Sequence, residues 1–196
     1  VLGVSRQLPV TTLQAFVEHV RARPGQLAYG SGGSGTPSHL AGAWLVARAG
    51  LAMTHVPYKG GAPALKDLLG GQVQMYFGNF SEIVPQRTGG NIVVLGVSSE
   101  KRHASLPDVP AIAETFPGFR IVTWNGLLGP AGLPKEIVDR LANEVIAMTR
   151  DPAMIERFAR IGVDPAGTTP QAFAEWIAAD FPVWKEAVQA SGARLD

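Results

Sequence analysis

The chain has 196 residues, 46% of them hydrophobic and 17% charged, which describes a folded protein rather than a disordered one. Seventeen Lys and Arg against 16 Asp and Glu leave a net charge of +1, which excludes a global nucleic-acid footprint. No cysteine is present, so disulfides, thiolate metal sites and Cys nucleophiles are excluded together.

The chain begins at Val1 rather than Met, and Val1–Val4 reads as a strand already under way. It is therefore expected to be a trimmed product or a piece whose natural start lies upstream. Thr11 or Thr12 caps a predicted helix whose apolar face carries Leu13, Phe16, Val17 and Val20. Pro24-Gly25 ends it. A short strand, Gln26–Tyr29, runs into a glycine-serine loop, Gly30 to Thr36, and Ser38–Ala49 is a predicted helix with Pro37 in its first turn. Leu40, Ala43, Trp44 and Ala47 form its expected buried stripe. Met53–Val56 is a predicted strand, Pro63–Leu69 a helix stopped by Gly70-Gly71, and Val73–Phe77 a strand. A short helix near Ser81–Gln86 leads to the strand Ile92–Val97. This alternation predicts an α/β lobe with a mostly parallel sheet covered on both faces.

Past Ser98 the character changes. A short helix, Ala111–Phe116, and a strand, Phe119–Leu128, are followed by three helices over Lys135–Thr149, Pro152–Ile161 and Pro170–Ala190. Pro182 predicts a break in the last of these near Ala178–Asp180, with Phe181 and Trp184 turned inward. A boundary near Gly118 divides a complete lobe, 1–117, from an incomplete one, 118–196, made of a crossing strand and helices.

The loop between strand and helix is expected to offer free backbone N–H groups, hydroxyls and a positive helix end to an anion. Gly30-x-Gly32-x-x-Gly35 matches the dinucleotide fingerprint formally. That fingerprint wants an acid about 20 residues on, and none stands between Glu18 and Asp67. A Walker loop fails for want of its lysine. The acid-free stretch carries Arg21, Arg23, Arg48, Lys59 and Lys66, which favours an anionic ligand. His39 reads first as a ring packed over the loop and bonded to backbone, and second as a ligand contact. His55 reads as structural. Histidine spacing gives no metal site. Tyr58-Lys59-Gly60 and Gly78-Asn79 follow the next two strands, so three strands end in polar glycine loops on one sheet edge. A nucleophilic pair of Ser31 or Ser34 with His39 is conceivable but has no evident orienting acid, so binding without chemistry is favoured.

The run from Tyr29 to Gly42, His55-Val56-Pro57-Tyr58-Lys59-Gly60, Asp67 to Val73, Leu106-Pro107-Asp108-Val109-Pro110 and Trp124 to Gly132 resemble the Bug or TctC-like substrate-binding proteins of tripartite tricarboxylate transporters. The resemblance implies a type II periplasmic-binding-protein fold, a periplasmic location, no cofactor and no membrane insertion. It also implies delivery of a small carboxylate to membrane permease subunits. The contacts it suggests are Ser31, Gly32, Ser34, Gly35, Thr36, His39, Tyr58, Lys59, Gly60 and Asn79. Gly78 stands where the family often has Asp. The family normally carries a further N-terminal segment that grips the ligand from the other side. Helices without their own sheet are expected to pair with a second copy or with that segment. The alternatives are a small α/β serine hydrolase and a ligand-sensing lobe for a regulatory partner.

Overall fold

In the computed structural model, residues 1–192 are described, so the last four residues of the expected second lobe lie outside the described residues. Five strands form one sheet: β1 (Leu2–Ser5), β2 (Ala28–Ser31), β3 (Thr54–Pro57), β4 (Met75–Phe77) and β5 (Ile92–Gly96), in the order β3-β2-β4-β1-β5. Four helices alternate with them: α1 (Leu13–Arg21), α2 (Pro37–Arg48), α3 (Gly61–Gly70) and α4 (Phe80–Thr88). The Thr12 side chain caps α1, Pro37 opens α2, and Gly71 closes α3 in the left-handed region at φ 79°.

The sheet is mixed, not parallel. β2 runs parallel to β3 and β4, whereas β1 lies antiparallel between β4 and β5, with Gly3 opposite Tyr76 and Val4 opposite Val93. A strand buried on both faces is an apolar run whichever way it points, so patterning carried no information on its direction. Alternate residues feed two cores. Leu2, Val4, Tyr29, Met75, Phe77 and Leu95 meet Phe16 and Val20 of α1 and Leu40, Trp44 and Leu45 of α2. On the other face Tyr76 and Ile92 meet Ala64 and Leu68 of α3 and Ile83 of α4. Within α2 the buried positions are His39 to Leu45, while Ala47 faces solvent, against expectation. The inner arc of α2 ends one turn before its last residue.

The expected helix at Ala111–Phe116 is a single 3-10 turn, Ile112–Glu114. The expected strand at Phe119–Leu128 is irregular chain. Phe119 and Ile121 are buried as core plugs, and the Ile121 N–H reaches only the Ser98 carbonyl. A strand needs a continuous ladder partner, and no described strand supplies one there.

Helices α5 (Lys135–Arg150), α6 (Pro152–Arg160) and α7 (Pro170–Ser191) complete the described chain. Contacts divide the molecule into one unit of Val1–Val122 together with the segment from Val183, and a second unit of Thr123–Pro182. α7 contributes to both. It passes through Pro182 as one assigned helix, with no break at Ala178–Asp180. Phe181 is 69% exposed, so it does not turn inward. Trp184 does pack against the first unit's core. In that unit α7 is clasped to α2: the Trp44 indole N–H and the Arg48 guanidinium both donate to Glu186 Oε1, at 3.2 and 3.1 Å. In the second unit Trp124 Nε1 donates to Asp180 Oδ2 at 3.0 Å, and its ring meets Phe173 edge-on. α5 and α6 there keep Ile137, Leu141 and Ile155 exposed.

Candidate functional site

β2 and β3 pair in parallel with Ser31 opposite Pro57, so both leave the sheet at the same edge. β4, parallel to β2, leaves there too. The two exits are stitched together. The Tyr58 N–H donates to the Ser31 carbonyl at 2.9 Å and the Gly60 N–H to the Gly32 carbonyl at 3.0 Å. A Cβ on Gly32 would stand 3.3 Å from the Gly60 carbonyl carbon, so glycine is what lets these backbones approach.

The glycine loop spends most of its donors on itself. Gly32 N–H donates to Ser38 Oγ (2.9 Å), Gly33 N–H to Ser31 Oγ (3.2 Å), Gly35 N–H to His39 Nδ1 (3.1 Å) and Thr36 N–H to the Gly33 carbonyl (3.3 Å). Thr36 Oγ1 also donates to Gly33 O at 2.6 Å. The open cradle of N–H groups read from the sequence is therefore a closed, self-bonded loop. Ser34 is exposed and makes no hydrogen bond among the described residues. Lys59 is exposed and makes no ion pair among them. α2 starts at this edge with no acidic residue in its first turn, whereas α3 starts with the Glu82 carboxylate of α4 against Gly61, so only the α2 end is left without a nearby anion.

Asn79 behaves differently. It opens α4 at the end of β4, and its N–H already donates to Glu82 Oε2 at 2.9 Å. The same oxygen accepts the Tyr76 hydroxyl at 3.2 Å. The α4 N-terminus thus carries its own anion. No hydrogen bond joins Asn79 to the glycine loop among the described residues. Tyr58 turns its hydroxyl to Asp67 Oδ2 at 2.7 Å; burial, then that bond, pushes its phenol up to about 12. Of the expected contacts, Ser31, Gly32, Gly35, Thr36, His39, Tyr58 and Gly60 share one network of hydrogen bonds, Ser34 and Lys59 sit on the same loops without a bond, and Asn79 stands apart.

The conceivable pair of Ser31 or Ser34 with His39 is not formed; Ser31 instead meets His55, with Oγ and Nε2 2.7 Å apart. Tyr29 is the register partner of His55, which sets its ring against the imidazole at 5.0 Å. His39, carried by α2, stacks on His55 at 3.8 Å. Ser31 is fully buried and makes no bond to a carboxylate, which suits bracing rather than nucleophilic attack. Burial lowers the proton affinity of His39, and burial followed by the neighbouring His39 lowers that of His55 to about 4, so both rings are neutral at pH 7. The Gly35 bond fixes the His39 proton on Nε2. That atom has no hydrogen-bond partner, and every fully buried polar side-chain atom has one, so Nε2–H reaches solvent. Sequence reading took His55 as structural, which fits, but did not find its Ser31 partner, and it missed Ser38 as a brace of the loop. The available signal was parity, since Tyr29 and Ser31 share a face with whatever register sets beside them.

No three His, Cys, Asp or Glu side chains could hold a metal ion together among the described residues. No described helix is long and apolar enough to cross a membrane. The donors left without a partner among the described residues are the Ser34 hydroxyl and N–H, His39 Nε2–H and the Lys59 ammonium, on the loops beside the start of α2. Such a set suits a compact anion.

Residues 1–193 match the family described as the tripartite tricarboxylate transporter family receptor. A UPF0065 protein from the tcbD-tcbE intergenic region of Pseudomonas sp. (strain P51) is 36% identical over 175 residues, covering 88% of this chain and 52% of that protein. The structure of R. palustris Rpa4515 with adipate superposes with a TM-score of 0.88 at 33% identity, covering 98% of this chain and 64% of that one. MatC from Rhodopseudomonas palustris with bound malate gives a TM-score of 0.80 at 26% identity, covering 95% and 65%. The chain therefore spans about half to two-thirds of the length of these proteins. The expected α/β binding-protein fold is borne out by the superpositions, amended by the mixed sheet and by the irregular chain in place of the crossing strand. With a family match running from Val1 to residue 193 and the same fold in the solved relatives, the chain belongs to the tripartite tricarboxylate transporter receptor family, the TctC or Bug proteins.

Proposed function

We propose that this chain forms the ligand-holding edge of a periplasmic solute-binding receptor that takes a small dicarboxylate and hands it to membrane permease subunits. The observation that carries the reading is the loop stitched to Tyr58–Gly60, which leaves Ser34 and Lys59 exposed and unpaired beside the buried His39, whose Nε2–H has no partner among the described residues. The relatives solved with adipate and with malate support a dicarboxylate as the class. The family's role as a transporter receptor supports delivery rather than turnover. The Asn79 N–H is already taken by Glu82, so Asn79 could serve a ligand only through its side chain.

A charge-assisted bond from Lys59 would contribute about 1.5–3 kcal/mol, or about 10- to 100-fold in affinity. Calorimetry with adipate and malate is expected to show saturable binding that Lys59→Ala weakens by that factor. Equal binding of the corresponding neutral diamide, or no change in Lys59→Ala, would contradict the reading.

A further inference from the structure

The loop's internal bonds lean on two imidazoles. His39 accepts the Gly35 N–H on Nδ1 at 3.1 Å, which requires that nitrogen to be unprotonated. His55 reaches Ser31 Oγ at 2.7 Å, and Ser31 in turn receives the Gly33 N–H. The two rings lie nearly parallel, 12° apart, with centroids 3.8 Å apart. Two positive rings cannot share that spacing cheaply, and one proton on His39 Nδ1 sets a donor against the Gly35 donor.

We propose that His39 and His55 form a proton-sensitive latch: as neutral rings they hold the glycine loop at Ser31 and Gly35, and proton uptake by His39 releases it. The surroundings favour this. Against His55 lie the Tyr29 ring of β2, at 5.0 Å, and the His39 ring of α2, at 3.8 Å. Beyond β3 stand Tyr58, held by Asp67, and the exposed Lys59. No carboxylate acts on either ring: burial accounts for His39, and burial and then His39 account for His55. A proton therefore arrives with no counter-ion waiting.

The sign follows. Both rings bind protons less readily in the folded loop than the ordinary 6.5. The loop's hold is complete above 6.5 and is lost as pH falls below it, toward the value of about 4 for His55.

The test uses the unliganded chain, so its outcome is separate from whether a dicarboxylate binds. The Gly35 amide and the His39 ring Cε1–H are followed by NMR from neutral pH down to about 4, with far-ultraviolet circular dichroism alongside. Expected is one shared midpoint below 6.5, with the Gly35 amide moving to an unbonded shift while the dichroism holds constant. His39→Asn keeps an acceptor that cannot titrate and is expected to abolish the Gly35 response. The wild-type titration decides alone if that variant does not fold. The latch is overturned by a Gly35 amide that stays constant through the His39 midpoint. Loss of all secondary structure at that midpoint, or an unchanged Gly35 response in His39→Asn, would equally overturn it.

Discussion

Trp44→Ala is expected to lower the free energy of unfolding by about 3–5 kcal/mol, the range for deleting a large buried aromatic side chain. Trp44 is 2% exposed in the middle of α2. Its ring stacks on Phe119 at 4.8 Å, lies under the Arg48 guanidinium at 5.0 Å, and donates to Glu186. Phe119 in turn stacks on Phe77 of β4, so one indole links helix, sheet and the irregular chain after the 3-10 turn. The polar half of this arrangement contributes little. The Arg48–Glu186 pair has side-chain exposures of 32% and 54%, and water screens it. Glu186→Ala should therefore cost no more than about 1 kcal/mol. Urea unfolding with an unchanged m-value measures both. A loss in Trp44→Ala no larger than in Glu186→Ala would show that the core is not organised around this ring.

Gly42→Val is expected to lose about 3 kcal/mol, at the upper end of the range for overpacking a filled core. A Cβ at this position would stand 2.7 and 2.8 Å from Cδ2 and Cε2 of Tyr29. Helix propensity favours replacing glycine by less than about 1 kcal/mol, so sterics decide the sign. Tyr29 has nowhere to go: it is buried, and its ring is stacked on His55. The displacement should reach the site as well as the core. Urea midpoints and the His55 ring resonances report the two effects separately. A variant as stable as the parent, with unmoved His55 signals, would contradict this packing.

The helices were legible in detail because each carries its own punctuation. Thr12 ahead of Leu13, Phe16, Val17 and Val20 marks α1, and Pro134, Pro152 and Pro170 sit at or beside the starts of α5, α6 and α7. The direction of β1 was not legible, since Leu2 and Val4 bury the same faces in either orientation. Phe119 and Ile121 imitate a strand because alternate burial needs only two inward residues, not a ladder. Pro182 imitates a break because its local cost is real, yet α7 is anchored beyond it by Trp184, Glu186 and Ala187. At the site, the residues of the loop and of Tyr58–Gly60 were identifiable by type, whereas their bonds were not. The Ser31–His55 contact spans 24 residues and depends on strand register, which glycine spacing does not encode.

The seat itself can be located directly. Adipate titrated into the isotopically labelled chain and followed amide by amide should move Ser34, Gly35, Lys59 and Gly60 together along one saturable curve. The groove at the opposite sheet edge, lined by Arg6, Gln7, Leu69, Gly90 and Asn91, should stay silent. Shifts confined to that groove, or none in the glycine loop at saturating adipate, would contradict a carboxylate seat at the carboxyl ends of β2 and β3.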